Sequence, residues 1–120
     1  IFKIEGDILS SALQITDLEI GTGKTVVKGA LIICHYRGFL EDGTVFDSSY
    51  DHGRPFQTVI GVGRVIKGWD QGLMGMQEGG KRKLFVPSEL AYGEREKGKI
   101  KPHSNLIFEI ELIECRPRDT

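Results

Sequence analysis

Val65-Ile66-Lys67-Gly68-Trp69-Asp70-Gln71-Gly72-Leu73 decides the fold. It holds the only Trp of the chain. A β-branched apolar run, Thr58-Val59-Ile60, precedes it, and Leu84-Phe85-Val86 follows after a turn-rich segment. The stretch reads as a short helix flanked by strands. Gly68 and Gly72 each cost about 1 kcal/mol of helix propensity relative to Ala. A helix so short and so rich in glycine cannot hold itself together in water. A sheet must close over one of its faces. Trp69 is then either a core side chain or the floor of a pocket.

Strand signals surround that helix. Leu13, Ile15, Leu18 and Ile20 mark an extended stretch whose alternation slips between Ile15 and Leu18, the mark of a bulge or bend. After the turn Gly21-Thr22-Gly23-Lys24, the run 30–37 is strongly β-type. On a period of two, Ile32, Cys34 and Tyr36 share its inward face, against the more polar Ile33, His35 and Arg37. Asp42-Gly43 predicts a hairpin turn back into Val45-Phe46-Asp47. The polar segment 48–54, ended by Pro55, predicts a surface loop, and 56–60 the next strand. Residues 81–86 form a strand closed by Pro87, 88–93 a tight turn or a single helical turn, and 94–103 a charged loop. The longest strand is 105–114, with Leu106, Phe108, Ile110 and Leu112 inward and Glu109 and Glu111 on the wet face. The expected fold is α+β: an antiparallel sheet of five or six strands with one short α-helix on its concave face. Residues 1–12 are an N-terminal extension or extra strand, opening on the alternation Ile1-Phe2-Lys3-Ile4-Glu5. Residues 13–116 form the domain, and 117–120 a tail.

Composition removes several function classes. With 120 residues, one domain is expected. A hydrophobic share of 39% and a charged share of 28% suit a globular chain and argue against disorder. A net charge of −1 gives no basic field for nucleic acid. No apolar run approaches the roughly 20 residues of a membrane span. Cys34 and Cys115 fit no C-x-x-C pattern and read as buried free thiols. They favour a reducing, cytoplasmic location. The chain begins at Ile1 rather than Met and shows no signal peptide, so a periplasmic or otherwise exported location stays open.

Motifs for cofactor and metal chemistry fail on spacing. Gly21-Thr22-Gly23-Lys24-Thr25 resembles the end of a phosphate loop, but Leu18 stands where its first Gly belongs. Gly61-Val62-Gly63 lacks the third Gly of a dinucleotide fingerprint, with Ile66 in its place. Asp47, Ser49 and Asp51 suggest a calcium loop, yet the sixth position is His52 and the twelfth Thr58. His35, His52 and His103 lack metal-ligand spacing. Lys81-Arg82-Lys83 is too small for a nucleic-acid patch. No cofactor and no metal site is expected.

An aromatic set survives: Tyr36, Phe46, Phe56, Trp69, Tyr92 and Phe108. These could simply be the core. Three features favour a cavity instead. Tyr36 and Tyr92 carry hydroxyls that need partners when buried. Asp47 follows Phe46 and puts a carboxylate at the rim. Tyr92 sits in a turn before Gly93, where a side chain leans over a cavity rather than filling one. An apolar concavity with a few placed polar groups is the usual form of a ligand site.

The chain resembles the FKBP-type peptidyl-prolyl cis–trans isomerases, in particular single-domain bacterial members. The resemblance rests on His35-Tyr36-Arg37-Gly38, on the segment from Leu40-Glu41-Asp42-Gly43-Thr44 to Val45-Phe46-Asp47-Ser48-Ser49, on Val65-Ile66-Lys67-Gly68-Trp69, on Ala91-Tyr92-Gly93 and on Leu106-Ile107-Phe108-Glu109. It runs from about residue 14 to residue 114. It implies a twisted antiparallel sheet wrapped around one helix, and an enzyme, a rotamase, that speeds X–Pro rotation as a protein-folding helper. It implies substrate-binding residues Tyr36, Phe46, Asp47, Phe56, Val65, Ile66, Trp69, Tyr92 and Phe108. Trp69 would be the floor under the proline ring, Tyr92 a hydroxyl donor, the Ile66 N–H a donor to a ligand carbonyl, and Asp47 a carboxylate facing the pocket. Asp47, Tyr92, Trp69 and Phe108 are the expected catalytic group. Proline-containing peptides, unfolded protein chains and macrolides of the rapamycin and tacrolimus kind are the implied partners, and a monomer is expected. The alternative is a module that binds proline segments, with turnover incidental.

Two departures from the family pattern stand out. Thr58 replaces an aromatic common two residues after the position of Phe56. The loop after Tyr92, often small, apolar and paired in prolines, is here the charged run 94–102, one residue shorter than in macrolide-sensitive animal members. Ile100 is the one large apolar residue left at its tip and is expected to join the substrate-binding set. The charged loop bears on peptide preference more than on turnover.

Overall fold

The computed structural model describes residues 12–117. The N-terminal strand or arm expected over residues 1–11 and the tail beyond Pro117 lie outside them. Six strands form one antiparallel sheet: β1 Gln14–Glu19, β2 Leu31–Leu40, β3 Val45–Ser48, β4 Phe56–Val59, β5 Lys81–Val86 and β6 Leu106–Arg116. Their order is β1-β5-β6-β2-β3, with β4 also paired to β2. β3 and β4 share one edge of β2, at Arg37–Phe39 and Leu31–Cys34 respectively. They act as one edge strand interrupted by the loop 49–55.

The slip read at Ile15–Leu18 is a real irregularity. The β1–β5 register shifts between Asp17 and Glu19, leaving Leu18 out of the ladder. A second shift lets Ile33 face Glu114 and Cys34 face Leu112, so Ile113 bulges from β6. Ile113 is accordingly 46% exposed, although its strand is otherwise a regular alternation. The inward residues fall where period two puts them: Ile32 and Cys34 of β2, Leu84 and Val86 of β5, and Leu106, Phe108, Ile110 and Leu112 of β6 are all buried.

Among the described residues one α-helix, α1 Lys67–Gly72, packs on that buried face. It has no side-chain cap at Ile66. Its stability comes from three contacts instead. Its glycines make the packing possible: a Cβ on Gly68 would lie 2.4 Å from a methyl of Val86, and one on Gly72 would lie 2.8 Å from a methyl of Leu84. At the N-terminal side, Asp70 accepts from the N–H groups of Gly61 and Gly63, at 2.7 and 3.0 Å. Both glycines have positive φ, so the carboxylate fixes the loop 61–64 to the helix it precedes. At the C-terminal side, buried Arg82 donates to the carbonyls of Gly72 and Met74, at 2.9 and 3.0 Å, while Asp17 of β1 holds its other edge at 2.7 Å. A cation on the last carbonyls of a helix is where the helix dipole favours it. The middle residue of Lys81-Arg82-Lys83 is thus a structural clamp, while its two neighbours face solvent.

Candidate functional site

Between α1, the inner face of β2 and β6, and the loops at one end lies a cavity of about 280 Å³. Its walls are Tyr36, Phe46, Asp47, Phe56, Val65, Ile66, Trp69, Tyr92 and Phe108, together with Arg64 and Lys97. Nine of the ten residues expected to bind substrate are therefore together there. Ile100 is the exception and requires a correction. It is 4% exposed and belongs to the core cluster. Lys97 and Ile100 pair their backbones across a tight turn through Gly98, which has positive φ. That turn sends Ile100 inward and leaves Gly98 and Lys99 at the tip, so the loop presents Lys97 to the cavity.

Trp69 forms the floor. Tyr36, Phe56 and Phe108 stand around it, with ring centroids at 5.2, 5.9 and 5.5 Å and planes at 87°, 80° and 88° to the indole. Each is an edge-to-face contact, the arrangement aromatic quadrupoles favour. Phe46 closes the far side, 5.7 Å from Phe108. Its ring lies over Gly38 of β2, where a Cβ would come within 2.5 Å of it. Trp69 is 4% exposed, and its indole N–H has no partner among the described residues.

The polar groups are placed as firmly. The Tyr36 hydroxyl donates to Asp47 at 2.6 Å. Burial and this carboxylate push the Tyr36 phenol well above its ordinary range, so it stays a donor. Burial pushes the Asp47 carboxyl up, but hydrogen bonds from Tyr36, His52 and the Ser48 N–H, and the His52 charge, outweigh it. The net direction is downward. Asp47 is thus a fixed anion at the rim. His52 contacts its second oxygen at 3.0 Å.

Tyr36 is itself held by Ser49, to which the sequence assigned no role at the site. β3 ends at Ser48 and β4 resumes at Phe56, so neither strand reaches the backbone of Tyr36. Ser49 fills the gap. Its hydroxyl accepts from the Tyr36 N–H at 2.8 Å, and its own N–H donates to the Tyr36 carbonyl at 3.0 Å. Ser49 is 1% exposed. A polar residue next to a loop signals nothing of this; only the break between two strands on one edge does. Asp70 escaped notice for the same reason, since its partners lie in a glycine loop.

Tyr92 follows a short 3-10 turn, Ser88–Leu90, and leans over the cavity mouth before Gly93. Lys97 lies 4.8 Å from its ring centre and donates to its hydroxyl oxygen at 3.5 Å. That leaves the phenol proton free to point elsewhere. Ile66 is the residue before the first turn of α1, where backbone N–H groups lack intrahelical acceptors. No group of three or more metal-ligating side chains occurs among the described residues. None of their helices is long and apolar enough to cross a membrane.

Comparison with known proteins identifies the family. The sequence model of one family, described as FKBP-type peptidyl-prolyl cis-trans isomerase, matches residues 22–113. The chain belongs to that family. Membership makes it an isomerase of the rotamase class. An FK506-binding protein of Neisseria meningitidis serogroup A is 57% identical over 103 residues, covering 85% of this chain and 94% of that protein. The peptidyl-prolyl cis-trans isomerase FPR2 of Saccharomyces cerevisiae is 50% identical, over 86% of this chain and 84% of its own. Among solved structures, the FKBP fold recurs in AtFKBP13, at 50% identity and a TM-score of 0.81 over 87% of this chain and 93% of that one. FkpA from Escherichia coli superposes with a TM-score of 0.81 at 38% identity, matching 90% of this chain and half of that protein.

Proposed function

We propose that the aromatic cavity is where this isomerase holds and turns X–Pro bonds, with Trp69, Tyr92, Asp47 and Phe108 in contact with substrate. The observation that carries this is the Trp69 floor with three rings standing edge-on around it. An amide resists rotation by about 18–20 kcal/mol because twisting breaks its resonance. The planar form is the more polar one, and the twisted form has lost that charge separation. An apolar box disfavours the first and matches the second by shape. Each 1.4 kcal/mol or so gained this way is tenfold in rate. Rotation breaks no σ bond, so the site has no need of a nucleophile. The Tyr92 hydroxyl and the Ile66 N–H are the donors that would hold flanking carbonyls while the bond turns.

The same cavity is proposed to take macrolides, as the name FK506-binding protein says of the Neisseria relative. Unfolded protein chains are the proposed natural substrates. The two buried free thiols support a reducing compartment such as the cytoplasm. A protease-coupled assay on a short Leu–Pro peptide tests the assignment, with exchange NMR as a check. Acceleration is expected, and Tyr92→Phe should lower kcat/KM by about two- to tenfold through loss of one donor. Equal rates with and without the protein would refute it.

A further inference from the structure

We propose that the site prefers proline segments carrying carboxylates next to the proline. This rests on the isomerase reading above and names its substrate class. The chain as a whole has a net charge of −1. The mouth of the cavity has the opposite sign. Arg64 and Lys97 line the cavity itself. A second groove of about 540 Å³ adjoins it through the shared Tyr36 and Phe56, and His52 and Arg54 line that groove. So two arginines, a lysine and a histidine line the two adjoining spaces.

The acids do not balance them. Asp47 is the only carboxylate on either lining. Its oxygens are already occupied by the Tyr36 hydroxyl, His52 and the Ser48 N–H. Asp51, Glu94 and Glu96 are near in sequence but line neither space. Arg54 and Arg64 are exposed and have no ion-pair partner among the described residues. Lys97 is engaged only with the Tyr92 ring and hydroxyl.

Unpaired exposed cations beside an apolar cleft attract anionic chains and repel cationic ones. Each exposed pair is worth about 1.4- to fivefold in binding. The apolar floor would read the proline, and the rim would read the charge of its neighbours.

The test uses matched peptides with Glu, Leu or Lys immediately before the proline, and a second set varied immediately after it. The expected result is kcat/KM for Glu above Lys by about three- to tenfold in one set at low ionic strength, with Leu between. Salt at about 0.5 M should bring the ratio close to one. The double variant Arg54→Gln/Lys97→Gln should at least halve the ratio. If that variant does not fold, the salt series on the wild type decides. A ratio under about twofold in both sets, or one that salt leaves unchanged, overturns the preference while Leu–Pro turnover keeps the isomerase reading. Failure to accelerate any peptide overturns both.

Discussion

Trp69, on the floor of the cavity, is 4% exposed, while His52, in the adjoining groove, has 64% of its side chain in solvent. The two regions adjoin through Tyr36 and Phe56 and are built by different forces. The floor is made by shape. Rings meet edge to face, and the helix approaches the sheet because Gly68 and Gly72 have no Cβ to keep it away. The rim is made of charge: Arg54, Arg64 and Lys97 stand on loops that could carry other side chains without disturbing the core. Such a division lets one reaction be kept while its selectivity varies. In the proposed function, turnover depends on the region where a single methyl group is felt, and preference on the region where it is not.

The largest effect should come from removing the floor. Trp69→Ala should destabilise the protein by about 3–5 kcal/mol, read by urea unfolding, because three neighbouring rings lose their common partner. It should also lower kcat/KM on a Leu–Pro peptide by at least about tenfold. A stability cost under about 1 kcal/mol would break the contrast, since the indole would then be no keystone.

Gly68→Ala should come next. Ala is the better helix former by about 1 kcal/mol, so propensity alone predicts a gain. The Cβ would lie 2.4 Å from a methyl of Val86, whose side chain is fully buried. Overpacking of this kind costs about 1–3 kcal/mol and should win. A double-mutant cycle with Val86→Ala sharpens the point: the two substitutions should couple by at least about 0.5 kcal/mol. Additive costs would mean that the helix does not rest on Val86.

The same contrast explains what could be read from the sequence. Floor residues left more trace. Phe108 and Tyr36 lie on alternating strands, so periodicity put them on the inward faces, while Trp69, in a helix too weak to stand alone, stayed open between core and floor until the family resemblance implied the floor. The polar supports left less. Asp17 and Arg82 are 65 residues apart, and no local pattern links them. Ser49 is needed only because β3 stops one residue short of Tyr36's partner position. Ile100 was misplaced because an apolar residue in a charged loop looks like its tip, whereas the Lys97–Ile100 bridge turns it into the core. Arg64 and Lys97 carry no signal at all until the cavity they border is seen.

The smallest effect separates the two regions by pH. On the acid side the carboxylates of the periphery titrate. Asp47 is held below the ordinary range by the net of its hydrogen bonds against burial. Asp42 is held there chiefly by the Thr44 N–H, and Glu78 chiefly by the Cys115 N–H. A carboxyl whose folded pKa lies below its unfolded value stabilises fully above about pH 4. It loses that contribution as pH falls through the folded value. On the alkaline side the buried groups titrate. Burial pushes the Cys34 thiol up to about 12, and Tyr36 is raised as well. A thiol raised in the fold stabilises fully below its unfolded value of about 8.5 and loses that contribution as pH climbs towards the folded one. Stability against urea should therefore be flat near neutrality and fall at both ends. Asp47→Asn should shallow the acid limb, and the alkaline limb only through its share of the Tyr36 shift, while Cys34→Ala should shallow the alkaline limb and leave the acid one in place. If Asp47→Asn leaves the acid limb as steep as in the wild type, the rim carboxylate contributes nothing to folding, and its link to Tyr36 serves the site alone.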